Sequence, residues 1–396
     1  MLDRIRSLVR RDRLLESATR LIAIPSPTGD AGAVLDTAAQ LLKSDGFTVS
    51  REAASHPKAP AVITRLDSGR AGKCVQFNGH LDVVHLPFVP PRVEGKLLRG
   101  SGSCDMKGGT SAAIEALRAL RDGSLIERGS VLFVAHDLHE APWGLGQQID
   151  ALIRAGLLGD AVMIPEPLNQ TLPVIGRGAA TWKVVLSRPG PPVHEVMRPA
   201  DEPNVIAAGV DLVRRIGELD ARVSAGVNSP AGKPSAFVGQ FHAGEIYNQY
   251  PKECMLEGTR RWLPGTDAAD VEAEFRELII DVEPDHRVAA ELDWRFIRGA
   301  FELDATHPFV AAFQESHAAM TGSPLPTGPK LFVDDGNSFS SLAGVPAITH
   351  GPRAGGQHTV EEWASVADLV RVAHLYALTA TLYCPGTEGA ATGSQG

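Results

Sequence analysis

Between Gly79 and Gly109 the chain reads GHLDVV, then a proline-rich span, then GSGSCDMKGG, which sets His80, Asp82 and Asp105 among small residues and apolar β-branched runs. The preceding residues, Cys74 to Asn78, predict a short buried strand that ends in Gly-His. The following residues, Gly108 to Leu120, place Ala112, Ala113, Ala116, Leu117 and Leu120 at helical spacing. Open α/β sheets carry their sites where a parallel strand ends and a helix begins. A His and two Asp at that place suit a hard or borderline cation such as zinc. An Asp before Met-Lys-Gly-Gly also suits a plain helix cap with a flexible lead-in, so this stretch alone leaves both readings open.

The rest of the chain adds donors of the same kind. His139-Glu140 follows a second apolar strand, Val131 to Ala135. Glu166-Pro167 follows a third, Ala161 to Ile164, and His358 sits in a Gly-rich loop near the end. Taken in order, these four separated motifs resemble the co-catalytic dinuclear metallopeptidase family of glutamate carboxypeptidase, acetylornithine deacetylase, succinyl-diaminopimelate desuccinylase and the aminoacylases. The resemblance runs over nearly the whole chain. It implies two divalent metal ions, zinc first, with manganese or cobalt as alternatives. It further implies Asp105 as the bridging ligand, His80 and Glu166 completing one site, and Glu140 and His358 completing the other. Asp82 matches the acid that holds the ligand imidazole in one tautomer. Three carboxylates against two divalent cations leave a net positive site, which lowers the pKa of a bound water and polarises a carbonyl.

One departure from the family pattern falls at residues 138–140. The family usually shows Asp-Glu-Glu, whose first Glu is the general base; this chain has Leu138-His139-Glu140. Three readings stay open. His139 replaces the Glu as base and proton shuttle, since a neutral imidazole with an unperturbed pKa near ~6.5 suits that work. Asp137 takes over, although strand alternation aims it away from His139. Or the site binds metal and ligand but hydrolyses poorly. His136 reads as a structural residue at a strand end.

The 396 residues are 43% hydrophobic, enough for a large core and for two domains rather than one. Alternating strands and helices through the first part predict a mostly parallel sheet with helices on both faces. From about Thr181 the order becomes strand, helix, strand, strand, helix, strand, which suits a small antiparallel α+β sandwich. The expected fold is therefore α/β: a phosphorylase/hydrolase-like sheet domain over 1–176 and 299–384, interrupted at 177–298 by a lid that the resemblance also makes the dimer contact. Residues 385–396, low in complexity, are expected to be disordered. A net charge of −9 without long runs of one sign argues against nucleic acid as a partner. No apolar run approaches the ~20 residues that cross a bilayer. Four cysteines without CxxC spacing and an N-terminus without a signal-peptide core point to a reduced, cytoplasmic protein.

Within the lid the resemblance extends to three residues. His194 stands at the histidine that reaches the partner subunit's site and stabilises the oxyanion, although HEVMRP replaces the family's His-x-Ser-x-Pro. Asn248 in YNQYP matches the substrate-contacting Asn. Arg261, with Arg260 as the near-equal alternative by register, matches the carboxylate clamp. Asn337 in VDDGNSF and Gly356 before His358 complete the substrate contacts. The implied function is hydrolysis of a C–N amide bond in an N-acyl amino acid, small peptide or related molecule by a homodimer. A hydrolytic deaminase acting on an unusual, aromatic substrate and a metal-containing binding protein without turnover are the alternatives.

Overall fold

In a computed structural model, residues 1–386 are described, so the expected tail at 385–396 lies almost wholly outside the described residues. The chain divides into two compact units, 1–174 with 302–329 and 334 onward, and 175–301 with 330–333.

The first unit is built on a six-stranded sheet. Its spatial order is Val49–Glu52, Ala61–Asp67, Ser130–His136, Cys74–His80, Ala161–Ile164, Ala347–Thr349. The last four run parallel, and the first two pair antiparallel along one edge. Ser130–His136 and residues 75–80 of its neighbour are buried at every position. That is why both read as continuous apolar runs rather than as alternations. Helix Lys107–Asp122 is likewise buried from Lys107 through Leu120. It packs against Val366–Tyr383 and Arg11–Ile22, which cover its small and apolar residues and bury Glu115 and Arg118 with them.

Two features are not expected from the sequence. A small second sheet orders Ala354–Gly355, Trp363–Ser365, Leu97–Arg99 and Arg92–Glu94, from segments too short to show a period. A helix, Asp335–Ala343, stands where the sequence suggests only Gly-rich loop. Asp334 caps it through a bond from the Gly336 N–H, and Asn337 closes the capping box.

In the second unit, an antiparallel sheet orders Ser235–Ala243, Glu253–Trp262, Gly178–Ser187 and Ala289–Arg298. Helices Val205–Ser224 and Ala268–Ile280 contribute Leu212, Ile216 and Phe275 to a core that also holds Trp182 and Leu256. Gly178–Ser187 alternates buried and half-buried positions along most of its length, the pattern of a sheet covered on one face.

Candidate metal centre

At the carboxyl ends of the parallel strands, five side chains from five chain segments converge. Asp105 stands in the middle: its Oδ1 lies 3.2 Å from His80 Nε2 and its Oδ2 lies 3.3 Å from His358 Nε2. Glu166 Oε1 approaches His80 Nε2 at 3.4 Å, and Glu140 Oε2 approaches His358 Nε2 at 3.2 Å. His80 ends one parallel strand and Glu166 lies two residues past the end of its neighbour, Ala161–Ile164, so the sheet brings them together. His358 comes from far along the chain, and the second sheet delivers it. Glu362, 4% exposed at the end of that sheet's 356–362 connection, accepts through Oε2 from the backbone N–H groups of Gly102 (2.9 Å), Cys104 (3.1 Å) and Asp105 (3.4 Å). One carboxylate thus ties the Asp105 loop to the His358 loop.

Close backbone approach shapes the remaining walls. A methyl on Gly109 would collide with the Pro165 carbonyl oxygen, so helix Lys107–Asp122 meets the Glu166 loop only because that residue is Gly. Gly356 has φ +74°, and a Cβ there would lie 2.6 Å from the Glu361 carbonyl oxygen. Leu138 (φ 65°) and His358 (φ 59°) hold left-handed backbone without being glycine. Such positions cost about 1–3 kcal/mol each and cluster at functional sites.

The donor set suits divalent cations. His80 Nε2 and Asp105 Oδ1 are buried and make no hydrogen bond within the described residues. Three carboxyls share one small volume: burial, then Asp105, pushes Glu166 up to about 8, and the same two causes raise Glu140. Asp105 itself is held low: burial opposes its ionisation, and His358 and His80 more than offset it. A cation placed among these oxygens removes their mutual repulsion and supplies the partner that the unbonded atoms lack. His80, Asp105 and Glu140 form one group able to hold a metal, and His80, His139 and Glu166 form another.

Asp82 is fully buried beside His80, but its carboxylate works chiefly on the next loop. His80 Nδ1 is 3.0 Å from the Asp82 carbonyl oxygen and 3.5 Å from the carboxylate. Asp82 Oδ2 instead accepts from the N–H groups of His139 (3.0 Å) and Glu140 (3.1 Å). The imidazole and the loop over it are therefore held by one residue.

His139 lies flat on His80, with ring centroids 3.9 Å apart and planes within 5°. Its Nε2 is 3.6 Å from Glu166 Oε1. Its Nδ1 is 2.8 Å from Asp335 Oδ1. Sequence reasoning misses Asp335: it stops at the neighbouring Gly336-Asn337, and nothing local tells which acid of Asp334-Asp335 turns inward. Burial and the adjacent His80 ring oppose protonation of His139, yet Asp335 holds it above the ordinary imidazole value. Asp137 is committed elsewhere, accepting from the N–H groups of Gly29 (2.9 Å) and Ala31 (3.0 Å) and facing His56 Nε2 at 3.1 Å.

The substrate candidates fall in both units. Asn337 is buried, and its Oδ1 accepts from the Asp334 N–H at 3.2 Å, so its side chain serves the helix cap. In the second unit, His194 Nε2 and Asn248 Nδ2 lie 3.0 Å apart. Arg261 is half-buried, and burial and then the nearby charge of Arg177 hold it below the usual guanidinium value. Arg260, the alternative by register, is 3% exposed and bonded to Glu274 (3.1 Å) and to the Arg261 carbonyl oxygen (2.6 Å).

A fold of this kind with this cluster defines a metal-dependent hydrolase, and comparison with known proteins narrows the class. The chain belongs to peptidase family M20/M25/M40, whose profile matches residues 76–382. It is a metallohydrolase acting on amide bonds. It is 26% identical over 403 residues to succinyl-diaminopimelate desuccinylase of Methylobacterium radiotolerans, covering 95% of this chain and 98% of that one. Among solved structures it resembles aminopeptidase PepT of Bacillus cereus, with a TM-score of 0.78 at 16% identity over 95% of this chain and 99% of that one. It also resembles the YXEP protein of Bacillus subtilis, a dinuclear metal binding peptidase from the M20 family, with a TM-score of 0.68 at 16% identity over 95% and 99%. No helix among the described residues is long and apolar enough to cross a membrane.

Proposed function

We propose that the protein hydrolyses the amide bond of an N-acyl amino acid or small peptide at a pair of divalent cations, with His139 moving the proton. The observation that carries this reading is the placement of Asp105, whose two oxygens face two different imidazoles, His80 and His358, each with its own glutamate. Asp105 would be shared between the cations, His80 with Glu166 would hold one, and Glu140 with His358 the other. When bound, the cations lower the pKa of water and polarise the carbonyl. His139 takes the proton of the attacking water at Nε2 as the water oxygen bonds to the carbonyl carbon. It returns that proton to the nitrogen as the C–N bond breaks, leaving a carboxylic acid and an amine. Arg261 is assigned to the substrate's carboxylate, Asn248 to the carboxylate or the oxyanion, and His194 to the developing oxyanion.

A second reading has its own support: His139 Nε2 is near enough to His80 and Glu166 to be a further ligand. Wild type, His139→Ala and His139→Glu, each with metal content measured, are to be compared on N-acetyl and N-succinyl amino acids and dipeptides. A loss of ~100-fold or more in His139→Ala with two metals retained supports the base. Loss of a metal supports the ligand. An inert wild type with an active His139→Glu would show an intact metal scaffold whose natural substrate lies outside this panel, and an alanine variant as fast as wild type overturns the role of His139.

A further inference from the structure

The four residues Asn78, His136, His139 and Asp335 form a buried polar network behind the cluster. Asp335 is fully buried and is the first residue of helix Asp335–Ala343, where the helix dipole favours a negative charge. Its two oxygens have separate duties. Oδ2 is 2.7 Å from His136 Nε2 and accepts from Asn78 Nδ2 at 2.9 Å. Oδ1 is 2.8 Å from His139 Nδ1. His136 and Asn78 lie on adjacent central strands of the main sheet, so two rigid elements hold one oxygen and the carboxylate cannot turn away from His139.

An ionised carboxylate only accepts hydrogen bonds, so the proton between Asp335 and His139 belongs on Nδ1. In the neutral ring, the lone pair is then on Nε2, the nitrogen that faces Glu166 Oε1. Stacking on His80 fixes the plane of the ring, and Asp335 fixes its rotation within that plane. The geometry points to Asp335 as the positioning residue of His139, an aspartate–histidine pair standing in this chain where a single carboxylate would otherwise act, with Asn78 and His136 as its anchors. This rests on the proposed role of His139 only for its kinetic consequence. The tautomer and the orientation stand apart from it, because an imidazole serving as a metal ligand needs the same Nδ1–H.

The test uses the full chain loaded with zinc and labelled with nitrogen-15 at histidine. Two-bond proton–nitrogen correlation spectra report the tautomer of each ring, and the His139 signals are those absent from His139→Gln. Wild type is expected to carry the proton on Nδ1 of His139, and Asp335→Asn to move the ring toward the Nε2–H form. In kinetics on the fastest substrate of the N-acyl amino acid and dipeptide panel, Asp335→Asn should lower kcat by ~100-fold or more with KM and metal content little changed. The double variant with His139→Gln should be no slower than His139→Gln alone. A wild-type His139 carrying its proton on Nε2 overturns the inference without any variant at 335, so misfolding of Asp335→Asn cannot shield it. A double variant slowed by the full Asp335→Asn factor also overturns it, since Asp335 would then act other than through His139. Should His139→Gln keep full turnover, the base reading falls while the tautomer still decides the role of Asp335.

Discussion

Removing the carboxylate of Glu362 isolates the contribution of one tertiary link to the cluster. Its Oε2 accepts from Gly102 N–H at 2.9 Å and Cys104 N–H at 3.1 Å, with Asp105 N–H further off at 3.4 Å. Gly102 and Cys104 are buried, so Glu362→Ala strands at least two donors. Burial and then Asp105 push Glu362 up to about 7, so above that pH, where the carboxylate is ionised, hydrogen bonds to this charged acceptor contribute about 1.5–3 kcal/mol each, which gives roughly 3–6 kcal/mol for the two short ones. At roughly 2–4 °C per kcal/mol for a domain of this size, calorimetry on the metal-free protein should show the first unit melting at least ~6 °C lower. Glu362→Gln keeps one carbonyl acceptor and should lose less than half as much. Because Glu362 stands between the Asp105 and His358 loops, the alanine variant should also hold less than two zinc ions per chain at limiting metal. An alanine variant melting within about 1 °C of wild type and holding two zinc ions would refute the reasoning, since the loops would then be placed without this tie.

Two further outcomes concern how the scaffold is held. Glu115 is fully buried and accepts from Arg13 Nε (2.8 Å), Arg13 Nη2 (2.9 Å) and the Arg10 N–H (2.7 Å), tying the N-terminal helices to Lys107–Asp122. Glu115→Ala leaves Arg13 only its bond to Asp122 Oδ2 (2.8 Å) and should destabilise by about 1.5–3 kcal/mol in urea titration with little change in metal content. Gly109→Ala forces the helix away from the Pro165 carbonyl and should cost about 1–3 kcal/mol while weakening metal retention, because Glu166 is the next residue. Unchanged zinc affinity in a folded Gly109→Ala protein would show that the Glu166 loop moves independently of the helix.

By itself the sequence determined the class of the molecule and the chemical types at its centre. Buried parallel strands are legible as apolar runs such as Ser130–His136, and the closing helix Val366–Tyr383 as an unbroken periodic stretch, because burial acts locally on every residue of such elements. His80, Asp82, Asp105, Glu140, Glu166 and His358 are polar residues at strand ends and in loops, where apolar context makes them conspicuous. The helices and strands of the second unit are legible because their apolar residues recur at helical or alternating spacing.

Tertiary structure alone decided which of these groups face one another. The second sheet that carries His358 to Asp105 consists of strands of two or three residues, shorter than any period that a sequence can display. Glu362 looks like one more acid in Glu361-Glu362 until its three backbone donors are seen. The carboxylate behind His139 lies 196 residues further along the chain, on a nine-residue helix amid Gly-rich loops. Pairing of that kind is set by where the parallel strands end and which helix caps them, and no local pattern encodes it.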